Sequence, residues 1–307
     1  MNKYQPAESE KRVDPARIRK ITQSVIGLPT LPTVVSKMLR MIDNPKTSAA
    51  TLARLISTDQ ALTAKVLKLA NSAYYGFPRE ISTVNMAIVV LGFNTVKDMG
   101  LWLSVFDVFK NSSVSSASFD AVKFWEHSAA CGVAARMLSL NNRSRFSGEA
   151  FVAGLLHDMG KIILNQYFSA DFLDVLRESE KTDLEDAELK VLGTGHGQIG
   201  AWLAEKWNLP SIIADTILNH HEPWNATTDQ AFVATVTVAD LLCHMTSTGN
   251  SGRIDSPKYD ERLWDIFSKA GMPLDESDLD KLQSDFLAEF DKSEAYISLM
   301  QDGAGEE

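Results

Sequence analysis

The sequence predicts an all-α fold. Apolar residues recur at helical spacing along most of the chain, and the periodic runs open on Ser, Thr, Asp or Pro and close on Gly or Pro. No stretch sustains the period-two alternation of a half-buried strand, and no internal repeat or heptad is present. The β-branched run Val233-Ala-Thr-Val-Thr-Val238 is the place where a strand would compete best.

Asp14-Pro15 supplies an N-cap with proline at the first helical position, so a helix is expected from there through about Val25. Leu28-Pro-Thr-Leu-Pro32 reads as a rigid extended turn, because each proline biases its predecessor away from helix. Val34, Val35, Met38, Leu39 and Ile42 then follow helical spacing until Asn44-Pro45. Ser48 caps a short helix that buries Leu52, Leu55 and Ile56, and Asp59 caps another that buries Leu62, Val66, Leu67 and Leu69. Tyr74-Tyr-Gly-Phe-Pro78 breaks the pattern. Ser82 or Thr83 begins the run Val84–Leu91, Gly92 ends it, and Asn94 caps a longer apolar helix through about Phe109.

The serine-rich loop Asn111–Ser118 is the best internal boundary. Helices are then expected over Phe119–Leu140, Gly148–Phe168, Ala170–Glu180, Asp183–Leu192, His196–Trp207, Pro210–His220 and Gln230–Met245. Gly249-Asn-Ser-Gly252 marks a second break, followed by amphipathic helices near Tyr259–Ala270 and Glu276–Leu299. The expected organisation is a polar leader and first helix (1–22), a helical lobe (23–115), a second helical lobe (116–247) and an acidic helical extension (253–307).

The chain has 307 residues, 45% of them hydrophobic, enough to bury a substantial core in one large domain or two. No apolar run approaches the ~20 residues of a membrane helix, and the polar start is unlike a signal peptide. Cys131 and Cys243 lie inside apolar helical patterns and form no disulfide framework, which fits a reducing cytoplasm. The net charge of −10 is concentrated at the end: Arg253–Glu307 holds 15 acidic and 6 basic residues, the rest of the chain 25 and 24. The basic cluster Lys11, Arg12, Arg17, Arg19 and Lys20 is explained by a solvated helix face, so nothing supplies the basic surface that nucleic acid requires.

One stretch stands out chemically. In Phe151-Val-Ala-Gly-Leu-Leu-His157-Asp158-Met-Gly-Lys161-Ile-Ile-Leu164, a greasy helical run delivers a histidine and an aspartate side by side, then a lysine, then turns greasy again. A buried carboxylate costs several kcal/mol unless a cation or dense hydrogen bonding compensates. His127 sits in another apolar helix, His196 in a first turn, and His220-His221 at a helix end before Glu222-Pro223. Asp240 is the only charged residue between Ala231 and Cys243. Each has a plain structural explanation: a core histidine, a helix terminator suited to the C-terminal dipole, or an Asp240 partnered by His244 one turn on. Lys161 could be a surface residue and Gly160 a packing contact. Coincidence among five of six histidines and a lone carboxylate is the less economical account.

Trp125-Glu-His127, His157-Asp158-Met-Gly-Lys161, Gly195-His196-Gly-Gln-Ile-Gly200, His220-His221 and Asp240 resemble, in order, the metal motifs of the HD superfamily of phosphohydrolases. Leu28-Pro-Thr-Leu-Pro32, Leu69-Ala-Asn-Ser-Ala73, Ile81-Ser-Thr-Val-Asn-Met-Ala-Ile88 and Leu91-Gly92 are similar to one branch, the HDOD domain, over about Ile26 to Pro223. The resemblance implies a two-lobed helical fold with an HD-type metal lobe, related to the HD-GYP phosphodiesterases. It also implies that His127, His157, Asp158 and Asp240 hold a first metal, and that Asp158 bridges to a second held by His196, His220 and His221. Lys161 would lie beside the bridge and, with Asp158, carry any catalysis.

One or two transition-metal ions are thus expected, iron or manganese ahead of zinc or nickel, because imidazole with carboxylate suits these better than calcium or magnesium. Glu222-Pro-Trp-Asn-Ala-Thr227 stands where HD-GYP enzymes carry their Gly-Tyr-Pro loop, and Lys123 where some carry a further acidic ligand, which argues against cyclic di-GMP recognition and against a third metal. The expected role is a bacterial signalling module acting mainly through ligand or protein binding. The alternative is an active phosphohydrolase or phosphodiesterase on a nucleotide or cyclic dinucleotide. Expected partners are signalling proteins and a nucleotide or phosphate ester, with no nucleic acid and no membrane.

Overall fold

The computed structural model describes residues 30–42, 47–71, 79–109, 119–142, 149–252, 259–272 and 274–291, with Gln23, Phe77, Ser144 and Phe146 as single positions. The expected leader helix, the serine-rich loop, most of the break at 74–78 and the chain beyond Asp291 lie outside the described residues. The described residues contain helices and no strand. The chain divides into two compact units, one of Pro29–Ser112 with Glu289–Glu307 and one of Ser113–Ala288 with Met1–Leu28.

The first unit comprises α1 (Thr33–Ile42), α2 (Ala49–Ile56), α3 (Gln60–Ala70), α4 (Val84–Leu91) and α5 (Phe93–Phe109). Ser48, Asp59 and Thr83 cap α2, α3 and α4 as expected, each accepting the backbone N–H three residues on. Gly92, at φ 94°, turns the chain so tightly that α5 begins on the next residue, and Asn94 lies inside its first turn instead of capping it. Every residue of α5 from Val96 to Val105 is buried, the signature of a central helix. Asn71 ties the chain on either side of the break together: its amide donates to the Ile81 carbonyl at 2.8 Å and accepts the Ile81 N–H at 2.7 Å.

The second unit contains α6 (Ala121–Asn141), α7 (Ala150–Leu156), α8 (Met159–Tyr167), α9 (Ser169–Ser179), α10 (Leu184–Leu192), α11 (His196–Lys206) and α12 (Ser211–Asn219). A 3-10 turn at Pro223–Asn225, α13 (Gln230–Met245) and α14 (Arg262–Lys269) follow, and a second 3-10 turn at Glu276–Asp278 leads into α15 (Leu279–Asp291). Helix α6 packs on α7 and α13, α8 on α11, α11 on α12, and α14 on α13. The β-branched run 233–238 is helical. Asp229 caps α13 by accepting the Phe232 N–H, and Thr235 satisfies its buried hydroxyl on the Ala231 carbonyl. Helix α14 starts at Arg262, later than expected, and the expected helix from Glu276 begins with the 3-10 turn.

The single helix expected over 148–168 is two. Helix α7 stops at Leu156, and Asp158, at φ −99° and ψ 7°, leaves the helical region before α8 restarts at Met159. In an unbroken helix, neighbouring side chains diverge by ~100° around the axis. The break turns His157 and Asp158 toward one centre.

Gly160 lets α8 meet α11 backbone to backbone. A Cβ on Gly160 would lie 1.9 Å from the His196 carbonyl oxygen and 2.9 Å from the Gly200 nitrogen. Gly160→Ala is therefore expected to destabilise the protein by more than about 2 kcal/mol, seen as a lower denaturant midpoint at unchanged m. A midpoint equal to wild type would refute this close packing.

Candidate metal centre

All the candidate residues converge within the second unit. His127 comes from the middle of α6, His157 and Asp158 from the α7–α8 break, Lys161 from the first turn of α8, and His196 from the first residue of α11. His220 and His221 follow α12, and Asp240 projects from α13. The two oxygens of Asp158 divide the centre. Its Oδ1 lies 3.2 Å from His196 Nε2 and 3.5 Å from His220 Nε2. Its Oδ2 lies 3.4 Å from His157 Nε2, 4.0 Å from His127 Nε2 and 2.7 Å from Lys161 Nζ. Asp240 Oδ1 closes the second group, 3.0 Å from His127 Nε2 and 3.6 Å from His157 Nε2. His221 Nε2 joins the first, 3.1 Å from His196 Nε2.

These spacings match donors sharing a cation. Two ligands each ~2.0–2.2 Å from an ion, at right or tetrahedral angles, sit roughly 2.9–3.5 Å apart. Close as they are, the facing atoms do not satisfy one another: His127 Nε2, His157 Nε2, Asp158 Oδ1 and Asp240 Oδ1 are buried without a hydrogen-bond partner. Such orphaned groups are rare in folded proteins, so four in one place call for a missing partner. The outer ring nitrogens are occupied instead. His157 Nδ1 is 2.7 Å from the Gly154 carbonyl, His220 Nδ1 is 2.9 Å from that of Ile217, and His196 Nδ1 is 2.8 Å from Glu188 Oε2. Each of these acceptors holds a proton on Nδ1 and leaves the Nε2 lone pair aimed inward, the arrangement of a ligating histidine.

The charge balance points the same way. Asp158, Asp240 and Glu188 are buried carboxylates, and Lys161 is the one lysine among them. Burial pushes the Asp158 carboxyl up, but His157 and Lys161 outweigh it and hold it well below the usual range. Asp240 is likewise held low against its burial by His244, His127 and His157. Burial lowers His196, and Glu188 more than reverses this, raising it to about 9; Asp158 raises His157 in the same manner. Burial keeps His127 and His220 low. Protons on His157 and His196 therefore supply charge that a cation would otherwise bring, and metal binding would displace them. Three groups have donor atoms close enough for an ion: Asp158 with His196, His220 and His221; His127 with His157 and Asp158; and His127 with Asp240 and His244.

A family model of the HDOD domain matches residues 28–223, well over half the chain. This chain belongs to the HDOD domain family. An HDOD protein of unknown function from Geobacter sulfurreducens superimposes with a TM-score of 0.78 at 28% identity, covering 91% of this chain and 96% of its own. A candidate signal transduction protein from Marinobacter aquaeolei VT8 gives 0.75 at 21% identity, over 94% and 67%. A candidate phosphohydrolase from Shewanella amazonensis SB2B gives 0.68 at 22% identity, over 92% and 97%. These last two show the shared fold. An uncharacterised protein of Treponema pallidum (strain Nichols) is 24% identical over 225 residues, 72% of this chain, and the chain spans 43% of that relative's length. No described helix of this HDOD protein is long and apolar enough to cross a membrane.

Four contributors escaped the sequence reading. Glu188 accepts both the backbone N–H and the Nδ1 proton of His196; its place between Leu184 and Leu192 on the buried face of α10 was the available signal. Glu185 lies 3.0 Å from His221 Nε2. Ser251 is brought in by the Gly249 turn, whose φ of 69° and close approach to the His127 backbone exclude any side chain. The turn docks on α6 through Asn250, whose N–H donates to the Lys123 carbonyl. Asp215 organises the segment after the double histidine: Oδ1 accepts from the Asn219 amide at 2.7 Å, and Oδ2 from the Thr227 and Thr228 N–H groups at 2.8 and 2.7 Å.

Burial raises the Asp215 carboxyl, but the Thr228, Thr227 and Asn219 bonds prevail and hold it below the ordinary range. The stabilisation is therefore complete above the unfolded value of ~3.9 and is lost as pH falls through the lower folded one. Asp215→Ala is expected to cost on the order of 2 kcal/mol at pH 7. The gap to wild type should narrow below pH ~4, as followed by urea unfolding across pH. A gap independent of pH would contradict this role.

Proposed function

We propose that this HDOD protein is a signal-transduction module built around a dinuclear metal centre, acting mainly by binding a ligand or a partner protein. His127, His157, Asp158 and Asp240 would hold one cation, and Asp158, His196, His220 and His221 the other. The observation that carries this is the division of Asp158: Oδ1 faces His196 and His220 while Oδ2 faces His157 and His127. When bound, iron or manganese in such a centre supplies Lewis acidity and a low-pKa water. The chain's own residues do the rest. Glu188 orients His196, the Gly154 and Ile217 carbonyls orient His157 and His220, and Lys161 keeps Asp158 ionised and in place.

A second reading, metal-dependent hydrolysis of a phosphate ester, is favoured by the convergence of the seven candidate ligands together with the buried ammonium of Lys161. That group sits 2.7 Å from a carboxylate oxygen of the bridge and could hold a phosphoryl oxygen instead. A small cavity of about 40 Å³, lined in part by His221, Asp240, His244, Trp224 and Tyr259, opens onto the outer ligands. That volume accommodates ordered waters or a small anion beside the ligands.

Elemental analysis after anaerobic loading is expected to find up to two transition-metal ions per chain, and Asp158→Ala to lose most of the metal and lower the Tm. A wild-type protein that takes up none would end the metal-centre reading. The two roles separate in a screen of manganese- or iron-loaded protein against phosphodiesters and cyclic dinucleotides. Turnover abolished by both Asp158→Ala and His221→Ala would establish the hydrolase, and a flat screen with metal bound supports the signalling module.

A further inference from the structure

We propose that His244 is a sixth imidazole of the centre, a direct ligand of the cation held by His127 and Asp240; this rests on the metal-centre reading above. Asp240 and His244 stand four residues apart on α13, so both side chains leave the same face of the helix. Two ligands at that spacing reach one ion, as the two histidines of an HExxH helix do. His244 Nε2 lies 3.2 Å from Asp240 Oδ1, and its ring centre 5.0 Å from that of His127.

The simpler account makes His244 a hydrogen-bond partner of Asp240. The geometry opposes it. Asp240 Oδ1 is without a hydrogen bond although three Nε2 atoms, of His127, His157 and His244, surround it at 3.0 to 3.6 Å. Atoms that crowd without pointing at one another point at a common third position. The contact that His244 Nε2 does make, to Ser251 Oγ, is long at 3.5 Å.

His127 has a single inward nitrogen and can serve one ion. His244 therefore joins the His127–Asp240 ion and does not define a third. That ion then has five donor residues (His127, His157, Asp158, Asp240 and His244) and its neighbour four, so the first is held more tightly. His244 also lines the cavity beside Asp240 and His221, which puts this ligand on the side of the centre that faces the cavity.

Anaerobic Mn²⁺ titration of the full chain, with free Mn²⁺ read by electron paramagnetic resonance, tests this. Wild type should show a tight and a weaker class of site. His244→Ala and His244→Gln should weaken the tight class at least ten-fold and leave the weaker one unchanged, while Tyr259→Phe, at the cavity wall, should alter neither. Crystals grown with Mn²⁺ supply a readout independent of variant folding: the anomalous peak should lie within about 2.3 Å of His244 Nε2. Two ions in wild type with His244 Nε2 more than 3 Å from both, or His244→Ala affinities within two-fold of wild type, would overturn this assignment alone. No ion in wild type would remove the metal-centre reading and this one with it.

Discussion

The second unit depends on a problem of charge. Three carboxylates and one ammonium are buried together, and three of the imidazoles around them, those of His157, His196 and His220, have their outer nitrogens already committed to fixed acceptors. In a low-dielectric interior such a set is tolerable only if protons or cations occupy the space between the inward atoms. The lowered carboxyls of Asp158 and Asp240 and the raised imidazoles of His157 and His196 are two sides of that balance.

The scaffold meets this problem with helix ends and close backbone contacts. His196 opens α11, His220 and His221 close α12, and His157 and Asp158 occupy a break between α7 and α8. Backbone groups freed at such ends orient the rings, as the Gly154 and Ile217 carbonyls do. Only His127 and Asp240 come from helix interiors, where α6 and α13 pack against each other. Gly160 brings α8 and α11 together, and Gly249 lets the Ser251 turn dock on α6. A displacement of any of these contacts by the width of a methyl group would separate donors now 3.0 to 3.6 Å apart.

Holding cations and turning over a substrate make different demands on such a centre. The first needs convergent donors and fixed tautomers, both of which this arrangement supplies. The second also needs room for an ester over the ions, which the cavity beside His221, Asp240 and His244 would have to supply, with Trp224 and Tyr259 as walls and the Arg262 guanidinium 3.7 Å above the Trp224 ring.

The all-α class, most of the helix limits and the candidate residues that converge in the second unit were legible in the sequence because they are local or compositional. Apolar spacing and caps mark helices, and histidines with a lone aspartate in greasy surroundings mark buried polar chemistry. The break at His157-Asp158 was not legible, because apolar residues continue at helical spacing on both sides and the flanking Gly154 and Gly160 lie inside the two helices, not at the break itself. Neither were Glu188, Asp215 and Ser251, nor the direction in which His244 points: an acid on a helix or a serine in a turn reads the same whether it faces solvent or a ligand. Which oxygen of Asp158 faces which imidazoles was decided only by the crossing of six helices and their connecting turns, since donors more than a hundred residues apart in the chain acquire a common centre only when packing brings their backbones within reach.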